Sequence, residues 1–202
     1  TLGLMNAQES AGVFSIPGSS NPIGAGSWFK IRYGGGMFVA ISSGAYGASP
    51  LFYSSDGVNW YSINLPSGVT GGFWDLAYNG SIWIAVTIAN EVVSINGSMV
   101  ATKVTSPSVS HLNLRGIAWN GSVFCAVGGD GSDTMYIFTS TNGSSWTTRM
   151  TASGSLSGNT IVWNGTVFVV VGGQAVFTSP TGTTWTSQSG SVNPEGMCVG
   201  SG

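Results

Sequence analysis

Side chains able to carry acid, base or ion-binding chemistry are scarce in this 202-residue chain, where charged residues make up only 6 %. Its arginines are Arg32, Arg115 and Arg149. Three arginines converging on one point could clamp a carboxylate bidentately. Arg32 and Arg115 fall on comparable apolar stretches, but Arg115 stands three places earlier in its register than Arg32. The acids are Glu9, Asp56, Asp75, Glu91, Asp130, Asp133 and Glu195. None recurs near an arginine in the matched arrangement that glycoside hydrolysis requires. The expectation is therefore a protein with no catalytic residues.

Ligand-binding candidates are equally sparse. The segment GGDGSD places Asp130 and Asp133 among flexible glycines, which could offer oxygen ligands to a cation. It lacks the further ligands of a calcium loop, so a solvated loop is the plainer reading. Tyr46, in a glycine-rich stretch, could stack on a sugar ring. These three residues are the tentative ligand-binding loops. Cys125, Cys198 and His111 show no metal-ligand spacing, and the two cysteines read as buried thiols. No metal and no cofactor is expected.

Composition narrows the partners. The net charge is −2, and Lys30, Arg32, Lys103, Arg115 and Arg149 form no basic stripe, which argues against a nucleic-acid partner. The longest apolar run, Val167–Val171, is far short of the roughly 20 residues of a spanning helix, so no membrane insertion is expected. Scarce charge and abundant aromatics, 8 tryptophans among them, argue against a disordered chain. A polar surface built from Ser, Thr, Asn and Gly suits a virion or extracellular β-protein.

The elements that must position these residues are announced by a repeat. Aromatic anchors at Tyr33, Tyr78, Trp119 and Trp163 are each followed five places later by Phe38, Trp83, Phe124 and Phe168. The second set is spaced by 45, 41 and 44 residues. A glycine turn separates each pair, and three of the turns are Asn-Gly, at Asn79, Asn120 and Asn164, which favours a two-residue hairpin with positive φ. A second phrase follows in each unit: SSDGVNW from Ser54, SINGSMV from Ser94, STNGSSW from Ser140 and SPTGTTW from Ser179. Its glycines are Gly57, Gly97, Gly143 and Gly182. Trp60, Trp146 and Trp185 close three copies and are expected to pack between units. Each phrase reads as a second hairpin with its turn at the glycine.

Two hairpins per unit of about 40–45 residues are the signature of a β-propeller blade. The repeat cores are about 27–63, 72–103, 113–149 and 158–188, within a propeller domain over 27–202. The segment 189–202 contains GMCVGSG, which is like the opening strand RGIAWNGS, and residues 1–26 form an N-terminal arm or supply closing strands. The expected fold class is all-β, a propeller of four-stranded blades, with a fifth blade closed by both chain ends. A four-bladed ring with terminal arms and an open fragment are the alternatives.

The second phrase resembles the Asp-box (BNR) turn of sialidase-type propellers, although Asp56 and Gly57 are adjacent, one residue short of that box's spacing. The combined pattern of Asn-Gly hairpin and S-x-Asx-G-x-x-W is similar to repeats of bacteriophage tail-fibre and other virion-associated propellers, over roughly residues 27–188. That resemblance implies a structural role for the phrases. It also implies a non-enzymatic module of a tail fibre, tail tip or capsid decoration, whose partners would be other virion proteins or a host-surface glycan or receptor, with a homo-oligomer compatible. A multivalent lectin and a degenerate sialidase-like hydrolase are the alternative functions.

Overall fold

The computed structural model describes residues 28–42, 51–153, 158–172 and 175–188. Tyr46 and the expected closing segments 1–26 and 189–202 lie outside them. The described residues form sixteen strands and no helix. The first sheet is β1 (Trp28–Gly34), β2 (Met37–Ser42), β3 (Leu51–Ser54) and β4 (Tyr61–Ser62). The second is β5 (Phe73–Tyr78), β6 (Trp83–Thr87), β7 (Val92–Ile95) and β8 (Ala101–Val104). The third is β9 (Asn113–Trp119), β10 (Phe124–Gly129), β11 (Thr134–Ser140) and β12 (Thr147–Ser153). The fourth is β13 (Gly158–Trp163), β14 (Phe168–Gly172), β15 (Ala175–Ser179) and β16 (Thr186–Gln188). Every sheet is an antiparallel meander in chain order. The first strands β1, β5, β9 and β13 pack against one another in succession, as the inner strands of propeller blades do.

Alternation of side chains along each strand gives every blade two apolar faces, and the core lies between blades. One cluster joins Val39, Ile41 and Leu51 of the first blade to Leu76, Trp83 and Ala85 of the second. The next joins Ala77, Ile84 and Val86 to Ile117, Phe124 and Phe138, and the third joins Ala118, Cys125 and Ile137 to Ile161, Phe168 and Val170. Burying one such large side chain contributes about 1.5–3 kcal/mol. Within each blade a cross-strand aromatic pair repeats: Tyr33–Phe38, Tyr78–Trp83, Trp119–Phe124 and Trp163–Phe168, with ring centroids 4.6–4.8 Å apart.

The turns depart from the sequence expectation in two ways. The Asn-Gly turns are four-residue loops, because Tyr78 pairs with Trp83 across Asn79–Ile82 and Trp119 with Phe124 across Asn120–Val123. Only the glycine takes positive φ, while Asn79 Oδ1 accepts the N–H groups of Ser81 and Ile82 at 2.9 and 2.8 Å. Asn120 and Asn164 bind the backbone in the same way. Asparagine is thus selected here as a side-chain acceptor for the loop backbone.

The second departure concerns the other phrase. In three blades a buried serine accepts the glycine N–H at 2.8 Å: Ser54 from Gly57, Ser140 from Gly143 and Ser179 from Gly182. Those serines pair with Phe38, Phe124 and Phe168, but Trp83 pairs with Ile95, one place beyond Ser94. The second copy is therefore shifted, and its left-handed position is Met99 (φ 57°) rather than Gly97. In the third and fourth blades the glycine is where the turn meets the blade before it. Gly143 lies against the Ile84 side chain, and Gly182 lies beside Thr139.

Glu91 ties the first blade's exit to the second blade. Its carboxylate accepts the N–H groups of Thr70 (3.0 Å) and Gly71 (2.9 Å), and it pairs with Lys103 Nζ at 3.1 Å. Burial alone would raise its pKa, but these donors outweigh that effect and hold it below the usual 4.5. A depressed carboxylate stabilises the fold fully above its unfolded pKa, and this is lost as pH falls through the folded value. The melting-temperature gap between wild type and Glu91→Gln is accordingly expected to be widest near neutral pH and to close progressively as the pH is lowered below 4.5. A gap independent of pH would contradict the assigned role. For the turns, Gly143→Ala adds a Cβ that overlaps Ile84 at φ 74°, whereas Gly80→Ala adds one into open space at φ 98°. Chemical denaturation should show Gly143→Ala the costlier by about 1–3 kcal/mol, the range for overpacking.

Candidate ligand site at the propeller axis

The inner strands share a local irregularity that aims their side chains. The register slips between Trp28 and Lys30, between Phe73 and Asp75, and between Gly158 and Thr160. The corresponding slip at β9 falls opposite Val127 and Gly128, with Arg115 the bulged residue between Leu114 and Gly116. A bulge of this kind bends a strand and redirects the next residue. Arg115 and Trp74 occupy equivalent bulges on neighbouring blades, and the Arg115 guanidinium sits 5.8 Å from the Trp74 ring centre.

One residue beyond the bulge, opposite charges meet. Asp75 is fully buried, and its Oδ1 contacts Lys30 Nζ at 3.1 Å and an Arg32 guanidinium nitrogen at 3.2 Å. Its carboxylate also accepts the N–H of Leu76 at 2.9 Å and that of Ile117 at 3.2 Å. The group thereby joins β1, β5 and β9. Two cations share one carboxylate, so the site keeps a net positive charge.

That charge borders a cavity of about 360 Å³, lined by the mouth-side halves of all four inner strands. Lys30 and Arg32 are its charged lining residues, and its aromatic ones are the four anchors Tyr33, Tyr78, Trp119 and Trp163, which rim it, together with the buried Trp83. The Arg32 side chain is 43 % exposed, which leaves donors free to face the cavity. The volume falls in the range of small-molecule sites. The arrangement can hold an anion by charge-assisted hydrogen bonds and stack a planar group on the aromatic rim.

Residues singled out from sequence go elsewhere. Asp130 and Asp133 lie in the loop after β10, at the end of the blade opposite the cavity mouth. The Ser132 N–H holds the Asp130 carboxyl below the usual range, and the Tyr136 hydroxyl donates to it at 3.0 Å. Among the described residues no group of three potential metal ligands exists. Arg149 lies on β12 and donates to Thr139 Oγ1 at 2.7 Å, so the three arginines do not converge. Trp146 and Trp185 pack on the clusters between blades, while Trp60 covers Phe38 from the first blade's outer turn, with centroids 6.5 Å apart. The sole histidine, His111, lines a second cavity with Ile88, Ala89 and Asn90, on the order of 20 Å from the axial mouth along β9. The residues missed from sequence are Lys30 and Asp75. Both stand three places before their strand's aromatic anchor, an opposite-charge pair in equal register on successive units.

Breaking a buried ion pair by removing one partner's charge costs about 3–5 kcal/mol. Asp75→Asn should therefore lower unfolding free energy by about 3 kcal/mol, and by more than Arg32→Gln, whose side chain is partly solvated. Equal, small losses for the two variants would show that the carboxylate is not the clasp between blades.

No known family profile matches the sequence, and no curated protein sequence matches it either. The fold, however, is similar to several solved structures. A virginiamycin B lyase from Staphylococcus aureus superposes with a TM-score of 0.69 at 12 % identity, covering 87 % of this chain and 59 % of the lyase. A catalytically inactive histidine-to-alanine form of that lyase with quinupristin gives 0.66 at 14 %, covering 84 % and 57 %. U3-55K gives 0.62 at 11 %, covering 88 % and 56 %. This chain thus spans less than two thirds of each of these proteins, and the likeness is one of fold.

These comparisons correct the expectation drawn from the Asp-box and phage-fibre resemblance. The structures that share this fold are propellers that include lyases, and neither a virion adhesin nor an Asp-box protein is among those named. The physical reason lies in what the motif reports. A serine that binds the N–H of a turn glycine satisfies a hairpin in any blade, and one of the four copies does not form it. The expectation of a non-enzymatic module is corrected by the same finding. It rested on the absence of paired charges along the sequence, whereas the charges at the axis are brought together from separate blades.

Proposed function

We propose that this chain is a small-molecule-binding propeller of an enzyme-related type, which takes an anionic compound bearing a flat ring at its axial cavity. The observation that carries this reading is the convergence of Lys30 and Arg32 on a single carboxylate beneath a rim of four aromatic side chains. Asp75 neutralises only one of the two cations, so a ligand carboxylate completes the charge balance. Tyr33, Tyr78, Trp119 and Trp163 then offer ring faces to the apolar part of the ligand. The fold itself has precedent for this use, since similar structures include lyases for virginiamycin B and streptogramin B. Their reaction is a separate matter. A histidine replacement inactivates the quinupristin-bound lyase, whereas His111 here stands away from the axial cavity.

Tryptophan fluorescence titration with 2-naphthoate and the uncharged 2-naphthamide tests the reading. Saturable quenching at one site is expected, with the carboxylate the tighter ligand. Arg32→Gln should weaken 2-naphthoate about tenfold and leave the amide unchanged, the loss of about 1.5 kcal/mol expected for one charged hydrogen bond. Equal binding of the two probes, indifference to Arg32→Gln, or no saturable binding would overturn it.

A further inference from the structure

Much of the wall of the axial cavity is main chain. Leu76, Ile117 and Ile161 line it although their side chains are packed into the clusters between blades, so it is their backbone that faces the axis. Hydrogen-bond alternation fixes which groups they present. The turns close with the N–H groups of Asn79, Asn120 and Asn164 donating to the carbonyls of Ile82, Val123 and Val167 at 3.1, 3.3 and 3.2 Å. From there, successive antiparallel pairs alternate between non-bonded and bonded. Tyr78, Trp119 and Trp163 therefore fall in non-bonded pairs, and so do Leu76, Ile117 and Ile161 two places earlier. The N–H and C=O of these residues turn away from the second strand of their own blade. The four sheets are separate, so no neighbouring strand pairs with them. Asp75 confirms the direction, since its carboxylate accepts the N–H groups of Leu76 and Ile117. Among the described residues no side chain accepts the N–H of Tyr78, Trp119, Ile161 or Trp163.

An unpaired strand edge is a hydrogen-bonding surface for a peptide group, and here the edges of β5, β9 and β13 border one cavity. The C=O and N–H of a trans amide point in opposite directions, so an amide between facing edges can accept from one and donate to another. An apolar wall would reject such a group, because burying an amide without partners is costly. A wall of free peptide groups favours it, since a ligand without polar atoms would leave those groups unpaired. We propose that the axial ligand carries a secondary amide between its carboxylate and its flat ring, which makes it an N-acylated aromatic amino acid. This rests on the axial-ligand reading and adds the substrate class to it. Lys30 and Arg32 take the carboxylate, the rim takes the ring, and the main-chain edges take the amide.

Three ligands of one skeleton test it on the unmodified chain: naphthylpropanoate, its α-acetoxy derivative and its α-acetamido derivative. The first has no polar group besides the carboxylate, the second adds an acceptor, and the third adds both an acceptor and a donor. Fluorescence titration should give affinities rising in that order, by roughly threefold to tenfold for each neutral hydrogen bond gained. Nuclear magnetic resonance of isotope-labelled protein locates the bonds. At least one main-chain amide proton among Tyr78, Trp119, Ile161 and Trp163 should move downfield with the acetoxy and acetamido ligands relative to naphthylpropanoate. The Ile117 amide, already bonded to Asp75, should not. Equal affinities, or tightest binding by naphthylpropanoate, would overturn the amide and leave the anion site standing. Saturable binding by none of the three would overturn both. A preference for the acetamido ligand with all four amides unmoved would place its amide away from the strand edges, and that too would overturn the proposal.

Discussion

A single buried carboxylate governs the arrangement of the inner strands. Removing Asp75 from water is costly unless every lone pair finds a donor and its charge finds a counter-charge. No residue of its own blade supplies the cations. They come from Lys30 and Arg32 on the blade before, and one backbone donor comes from Ile117 on the blade after. The group is satisfied only when three blades are in register, so it reports and enforces their relative position. The axial cavity follows from that requirement, because long basic side chains drawn toward the axis keep the inner strands from filling it with apolar groups.

Around this clasp the protein is built by repetition. Between blades the same alternation recurs, with large apolar groups facing backward and small ones facing forward, so that Leu76, Ile117 and Ile161 each enter the face of a preceding blade. Serine-bound glycine turns complete those contacts in the third and fourth blades, where any side chain on Gly143 would displace Ile84. The repeat therefore builds a wall. Charge gathers where the repeat is broken: at Lys30 and Asp75, in the position that Gly116 and Thr160 fill without charge, and at Arg32, where the other blades carry Ala77, Ala118 and Val162.

Much of the framework was legible in the sequence. Four-stranded blades could be read from two hairpins per unit because aromatic spacing and turn glycines are local signals. The Asn-Gly dipeptides also marked true reversals. Their geometry was misread because asparagine serves two purposes: it tolerates positive φ, and it accepts loop N–H groups, and only coordinates separate these. The shifted second copy was missed for a related reason, since SINGSMV satisfies the same spelling while Trp83 pairs with Ile95. The Asp-box likeness was read as kinship although it reflects a hairpin's hydrogen-bond needs.

By itself, then, the sequence determined the local grammar: which residues form strands, where they turn and which apolar groups alternate, since these depend on neighbours a few places apart. Tertiary structure alone decided the site. Lys30 and Asp75 are 45 positions apart in the chain, and nothing in either strand states that the two will share a hydrogen-bonding distance of 3.1 Å. Charge pairing of this kind depends on how one blade is rotated against the next, and that rotation is set by the packed faces between blades.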